Sequence, residues 1–258
     1  TLFASASSGL PVTFTSSNST VATTNGNTLT ANSTGTADIT AMQSGNGTYA
    51  PARYIRTLTV NQADQTISFP APGTKTYGDP DFNPGATASS GLPVFYSSDN
   101  PAVATISGET IHITGAGTAV ITASQPGNNL YYSAIDVIVD LTVNKADQTI
   151  TFGELAPTTY GEPDFIVPAT ASSMLNITFT SDNPNVAAIT GGLIHIVNAG
   201  TAMITASQPG DQNYNPAPDV FQTLIINKAS QVITFPSITP VVYGVASFNA
   251  GASSSSGL

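Results

Sequence analysis

The two histidines of the chain, His112 and His195, stand 83 residues apart, and each lies between isoleucines, Ile111 and Ile113 or Ile194 and Ile196. An imidazole serves as general base or metal ligand only with an orienting carboxylate or a second ligand beside it. In an alternating strand with isoleucine turned inward, the histidine faces solvent. The first copy of the pattern has Thr30 nearby rather than a histidine. Both are therefore expected to be surface residues of a strand, outside any catalytic or metal site.

Paired carboxylates are the other chemistry the residue types allow. Asp79 and Asp81 flank Pro80, Glu162 and Asp164 flank Pro163, and Asp64 and Asp147 each open a repeated segment. Oxygen clusters at module boundaries bind Ca²⁺ and stiffen a stalk, so these six are the candidate Ca²⁺ ligands. The next copy carries Ser230, Val245 and Ser247 at the matching places, and no EF-hand-like spacing occurs. Turn formation and capping is the simpler role, and no cofactor is expected. Hydrolase chemistry finds no support, since serine is plentiful but no GxSxG elbow and no plausible recurring His partner exist. An isopeptide crosslink needs a buried Lys beside a carboxylic acid, whereas Lys145 and Lys228 fall in connectors and Lys75 in a polar loop. The chain is expected not to be an enzyme. For ligand binding, the candidates are Tyr49, Tyr131, Tyr132 and Tyr214, in the long loops from Gln43 to Arg53, Gln125 to Asp136 and Gln208 to Asp219. Loops at the end of a β-sandwich are where such modules bind, but a Tyr that returns in every copy is also what a packing anchor would be.

Composition narrows the partners. Charged residues make up 8% of the chain and hydrophobic ones 40%, with 15 acidic against 5 basic residues. No basic patch exists to neutralise a phosphate backbone, which speaks against nucleic acid. The longest apolar stretch, Ala134 to Val143, is interrupted by Asp136 and Asp140 and falls short of the about 20 residues a membrane helix needs. No membrane insertion is expected of this segment. The absence of Cys rules out disulfides and thiolate metal sites.

The elements that position all these residues come from an internal repeat. Ala63-Asp64-Gln65-Thr66-Ile67 returns as Ala146-Asp147-Gln148-Thr149-Ile150 and Ala229-Ser230-Gln231-Val232-Ile233, at a step of 83 residues. Tyr77-Gly78, Gly117-Thr118-Ala119 and Tyr131 have counterparts in the other copies as well. Self-similarity at this period marks an array of small domains. Within a copy the pattern is short strands and turns, read as seven strands: 66–69, 82–88, 94–97, 103–106, 110–114, 118–124 and 137–143. Ala119, Ile121 and Ala123 match Ala37, Ile39, Ala41 and Ala202, Ile204, Ala206, while Val120, Asp38 and Met203 vary between them. The constant positions face a core and the drifting one faces water. Asn25-Gly26, Ser107-Gly108 and Gly191-Gly192 are read as hairpin turns. The fold class is all-β, tandem immunoglobulin-like antiparallel sandwiches.

The run from Gly91-Leu92-Pro93-Val94 through Ser97-Ser98-Asp99-Asn100-Pro101-Ala102-Val103-Ala104-Thr105-Ile106, followed by Gly115-Ala116-Gly117-Thr118-Ala119-Val120-Ile121-Thr122-Ala123, resembles the bacterial Ig-like (Big) repeat. The Ala-Asp-Gln-Thr-Ile opening and Thr76-Tyr77-Gly78-Asp79 are closer to its MBG-type variant, found in arrays in secreted and surface proteins of Bacteroidota and their relatives. The resemblance implies a spacer, stalk or adhesin module on the outside of a bacterium.

The expected organisation is a repeat over 1–62 lacking its first strands, complete repeats over 63–145 and 146–228, and the first strands of another over 229–258. Leu10, Leu92, Leu175 and Leu258 are equivalent positions, so the chain reads as a window from a longer array, or as a unit whose tail completes the head of another copy in a head-to-tail fibre. The connector 144–149 contains no Gly or Pro and is too short for a free coil, which predicts a stiff, rod-like array. The expected function is a structural stalk of an extracellular or cell-surface protein whose partners are neighbouring repeats; the alternative is an adhesin that binds glycan or protein through the loop before the last strand.

Overall fold

The computed structural model describes residues 1–257 and contains strands and turns, with no helix among the described residues. The chain forms two compact units, Thr1–Asn144 and Lys145–Leu258.

In the first unit, the first repeat contributes β1 (Thr13–Ser16), β2 (Ala22–Asn25), β3 (Thr28–Ala31), β4 (Gly35–Gln43) and β5 (Ala52–Val60). β1, β4 and β5 form one antiparallel sheet and β2 and β3 a hairpin. Val21, Ala22, Ala37 and Ile39 are buried between them, with Phe14, Leu29 and Leu58 packed against this cluster. One side stays open as a cleft of about 580 Å³ lined by Leu2, Phe14, Leu29, Ile39 and Leu58 among others.

The second repeat contributes β6 (Ile67–Ser68), β7 (Lys75–Thr76), β8 (Thr87–Ala88), β9 (Phe95–Ser98), β10 (Ala104–Ser107), β11 (Thr110–Ile113), β12 (Gly117–Ser124) and β13 (Val137–Asn144). One sheet runs β7-β13-β12-β9. Facing it, β6 pairs with β8, β10 pairs with β11, and Phe82 bridges to Ile111. Counting the segment from Phe82 to Ala88 as one interrupted strand, the first, second, fifth and fourth strands form one layer and the third, sixth and seventh the other, which is the immunoglobulin-like order. Between the layers Ile111, Ile121 and Leu141 are fully buried, each stabilising the repeat by about 1.5–3 kcal/mol. The ring of Phe69 meets Tyr96 edge-on, with centroids 5.8 Å apart. The Tyr96 hydroxyl, whose pKa is raised chiefly by burial, accepts a hydrogen bond from the Ala86 amide at 3.0 Å.

Two strand readings need correction. The segment 82–88 is not one strand: Phe82 exchanges backbone hydrogen bonds with Ile111, at 3.1 and 2.8 Å, before the chain turns through Asn83-Pro84-Gly85 into β8. Pro84 has no N–H to give a ladder, and Gly85 takes a φ of +77°. Lys75 lies not in a loop but in β7, which runs parallel to β13. Its ammonium sits 4.4 Å from the Phe82 ring centroid. In the hairpins, the loop residues are Gly26-Asn27, Gly108-Glu109 and Gly191-Gly192, with positive φ at the leading glycine of each, as tight hairpins demand.

The second unit repeats this plan with β14 (Ile150–Phe152), β15 (Thr158–Thr159), β16 (Phe165–Ile166), β17 (Ala169–Ala171), β18 (Thr178–Ser181), β19 (Ala187–Thr190), β20 (Leu193–Ile196), β21 (Gly200–Ser207) and β22 (Val220–Asn227). The sheet β15-β22-β21-β18 faces β14-β17 and β16-β20-β19, and Ile194, Ile204 and Leu224 are fully buried between them. Here Pro168 divides the second strand. Beyond β22, β23 (Ile233–Thr234) pairs antiparallel with β24 (Ser253–Ser254). Ile233, Phe235 and Phe248 remain 72%, 57% and 55% exposed. Leu258 lies outside the described residues.

Candidate functional site

The loop before the last strand has the same construction in every copy. In the second repeat Asn128 Oδ1 accepts hydrogen bonds from the amides of Leu130 and Tyr131 at 2.8 and 3.0 Å. Asp211 Oδ1 does the same for Asn213 and Tyr214 at 2.7 and 2.9 Å, and Asn46 Oδ1 for Thr48 and Tyr49 at 2.8 and 2.9 Å. A short polar side chain that caps its own loop in this way fixes a compact turn. The glycine preceding it is required: a Cβ on Gly127 would fall 2.3 Å from the Tyr131 carbonyl oxygen, and one on Gly210 the same distance from that of Tyr214.

This loop grips the segment that opens its own repeat. Ala63 N–H donates to the Leu130 carbonyl at 2.8 Å and Tyr132 N–H to the Ala63 carbonyl at 2.9 Å, a parallel bridge between Ala63 and Tyr131. In the second unit Ala146 N–H donates to Asn213 at 2.9 Å and Asn215 N–H to Ala146 at 2.9 Å, and Lys145 Nζ donates to the Asp211 carbonyl at 2.5 Å. In the first unit the grip extends to the preceding repeat: Gln62 Nε2 donates to the Asn128 carbonyl at 2.6 Å, and Thr34 Oγ1 to that of Asn129 at 2.7 Å.

Beneath the loop sits a set of buried glutamines whose role was not read from the sequence. Gln65 Nε2 donates to Gln125 Oε1 at 2.8 Å and to the Tyr132 carbonyl at 2.6 Å, while Gln65 Oε1 accepts from Ser90 Oγ at 2.5 Å. Gln125 Oε1 also accepts from the Gly127 amide, and Gln125 Nε2 donates to the Pro93 carbonyl at 3.2 Å. Gln148, Gln208 and Ser173 reproduce the network in the next repeat, with Gln148 Nε2 donating at 2.7 Å to Gln208 Oε1 and at 2.8 Å to the Asn215 carbonyl. The signal was available: a Gln returns at 65, 148 and 231 and at 43, 125 and 208, where an exposed polar residue would drift.

The candidate tyrosines fall into this frame unequally. Tyr131 and Tyr214 are half-buried and take part through their backbones. Tyr49 and Tyr132 expose about half of their surface.

The candidate Ca²⁺ ligands are dispersed. Asp79 Oδ2 accepts from the Thr76 amide at 2.9 Å, and Glu162 Oε2 from Thr158 Oγ1 at 2.5 Å, both closing turns. Asp147 Oδ1 accepts from Asn215 Nδ2 at 2.8 Å, and Asp64 is exposed. Asp81 and Asp164 turn instead to the histidines: His112 Nδ1 lies 2.5 Å from Asp81 Oδ2 and His195 Nδ1 2.6 Å from Asp164 Oδ2. Both histidines are solvent-facing, and their carboxylate neighbours arise because the bridge from Phe82 to Ile111 and the pairing of β16 with β20 bring strands distant in sequence side by side. The His195 hydrogen bond, and then the Ile196 amide at 3.1 Å, hold the Asp164 carboxyl below its usual pKa. No group of three or more His, Cys, Asp or Glu side chains placed to hold a metal occurs among the described residues.

No family model matches the chain, and no curated protein is significantly similar to it. Among solved structures it is similar to Drosophila N-cadherin EC1-4 (10% identity over 85% of this chain and 66% of that one, TM-score 0.33). It is similar to Sidekick-1 immunoglobulin domains 1-5 (15% identity, 84% and 52%, TM-score 0.34). Domains 1-6 of the surface layer protein SbsC are a third (15% identity, 89% and 37%, TM-score 0.29). The chain therefore spans less than two thirds of each of these three. At such low similarity the fold assignment rests on the strand pairing itself.

Proposed function

We propose that the chain is a run of spacer repeats, a structural stalk of an extracellular or cell-surface protein; the motif resemblance points to a bacterial one. A single observation carries the reading. The loop that would be free to bind a ligand in an adhesive sandwich is occupied, through Ala63, Gln62 and Thr34 in the first unit, in holding the preceding segment of its own chain. Within the first unit, the second repeat thus has the first as its partner. The adhesin alternative retains only the exposed parts of Tyr49 and Tyr132.

Two measurements on one protein test the proposal. With fluorophores at the two chain ends, excising 146–228 should shorten the end-to-end distance while the remaining repeats stay folded. The intact chain, offered to glycan arrays and to itself, should give no binding that Tyr132→Ala abolishes. Binding that depends on Tyr132, or an end-to-end distance indifferent to the excision, would replace the spacer by an adhesive module.

A further inference from the structure

Each complete repeat joins its opening segment to its closing segment in parallel. Lys75 and Thr76 of β7 lie beside Val143 and Asn144 of β13, and the Tyr77 amide adds a bond to the Asn144 carbonyl at 2.8 Å. Thr158 and Thr159 of β15 lie beside Ile226 and Asn227 of β22, with the Tyr160 amide 2.9 Å from the Asn227 carbonyl. The bridges from Ala63 to Tyr131 and from Ala146 to Tyr214 are parallel too; every other strand pair and bridge among the described residues is antiparallel.

Direction of pull is what distinguishes the two kinds of pairing. When tension enters at the N-terminal side of one strand and leaves at the C-terminal side of a parallel neighbour, the strands slide past one another. All their hydrogen bonds are then strained together. A hairpin pulled open at its free end breaks one bond at a time. A repeat drawn out by its two ends receives force in the first manner, at β7 and β13 or β15 and β22. The turn after β7 is locked by the Asp79 amide on the Thr76 carbonyl at 3.0 Å, with Gly78 at φ +91°; after β15, the Glu162 amide bonds Thr159 at 3.0 Å, with Gly161 at φ +93°. Upstream, the buried Gln65 or Gln148 network must come apart before force reaches the parallel pair unshielded from water.

We propose that the two complete repeats have a further, mechanical function: each is a shear clamp that keeps the chain folded while it carries tension. The proposal rests on the spacer reading, but its test is separate. Tyr77 and Tyr160 occupy the second position of a turn whose third residue has positive φ, where proline is well accommodated. Proline there deletes the N–H that bonds the last strand together with the tyrosine ring, and alanine, which loses the ring alone, isolates the effect of the N–H. The full chain, held by its ends in optical tweezers, should show two unfolding steps that each release one repeat at about 3.6 Å per residue. With Tyr77→Ala and Tyr160→Ala together these steps should stay at high force. With Tyr77→Pro and Tyr160→Pro they should move to clearly lower force, although the melting midpoints of the two variants differ by no more than the roughly 4–8 °C that one hydrogen bond is worth. Tyr77→Pro alone keeps the third repeat as an internal reference should the double variant fail to fold. Equal forces in the proline and alanine chains would overturn the clamp while leaving the excision result, and with it the spacer, untouched.

Discussion

A buried glutamine must satisfy two N–H donors and a carbonyl oxygen without water, and Gln148 does so through Gln208, Asn215 and Ser173. Gln148→Ala strands several of those partners and should cost about 1–3 kcal/mol. Hydrogen exchange of the third repeat's amides reads that loss locally. The same change at exposed Gln231 should stay within about 0.5 kcal/mol. The hydrogen bond between His195 and Asp164 makes a smaller contribution with a definite sign. Asp164 has its folded pKa lowered by His195, so the stabilisation is fully present above the ordinary carboxylate value near 3.9 and fades as the pH falls through the lowered one. In His195→Ala the Asp164 carboxyl, followed by NMR, should titrate at higher pH than in the parent. An unchanged titration would mean that the hydrogen bond does not form in solution.

At the scale of elements, the long strands were legible because alternation is a statement about two faces. Ala119, Ile121 and Ala123 are buried, as their constancy between copies implies. β7 was not legible: two residues, one of them a lysine, carry no alternation, and their pairing to β13 is set by a strand far along the chain. The interruption at Pro84 was visible as a proline, yet the apolar residues around it read as one strand. The pairing of His112 with Asp81 was hidden for the same reason as β7, since register across a sheet is not written in local spacing. The need for glycine in the loop before the last strand was not legible either, because it comes from a close approach of backbone that spacing does not record. Gly127→Ala meets a backbone oxygen at 2.3 Å, whereas Gly78→Ala enters open space and faces only its φ of +91°. The first should therefore destabilise the second repeat clearly more than the second, whose cost is about 1–2 kcal/mol for a left-handed backbone, as comparative melting of the two variants would show.

Over the whole molecule, buried apolar residues form separate clusters, one in each of the first three repeats, and only 8% of the residues are charged. Separate cores need a joint between them, and in the first unit that joint consists of hydrogen bonds from Gln62 and Thr34 to the loop at Asn128 and Asn129. None of its contacts uses a carboxylate, so a chelator should not loosen it. The chain has no Cys, so cysteines placed at exposed Thr15 and Asp140 take spin labels uniquely, one on each side of the joint. The distance distribution between them, measured by pulsed electron resonance with Ca²⁺ and again with EDTA, should be a single narrow peak that is the same in both and broadens in Thr34→Ala. A broad distribution, or one that narrows only with Ca²⁺, would contradict a spacer joined by its own hydrogen bonds.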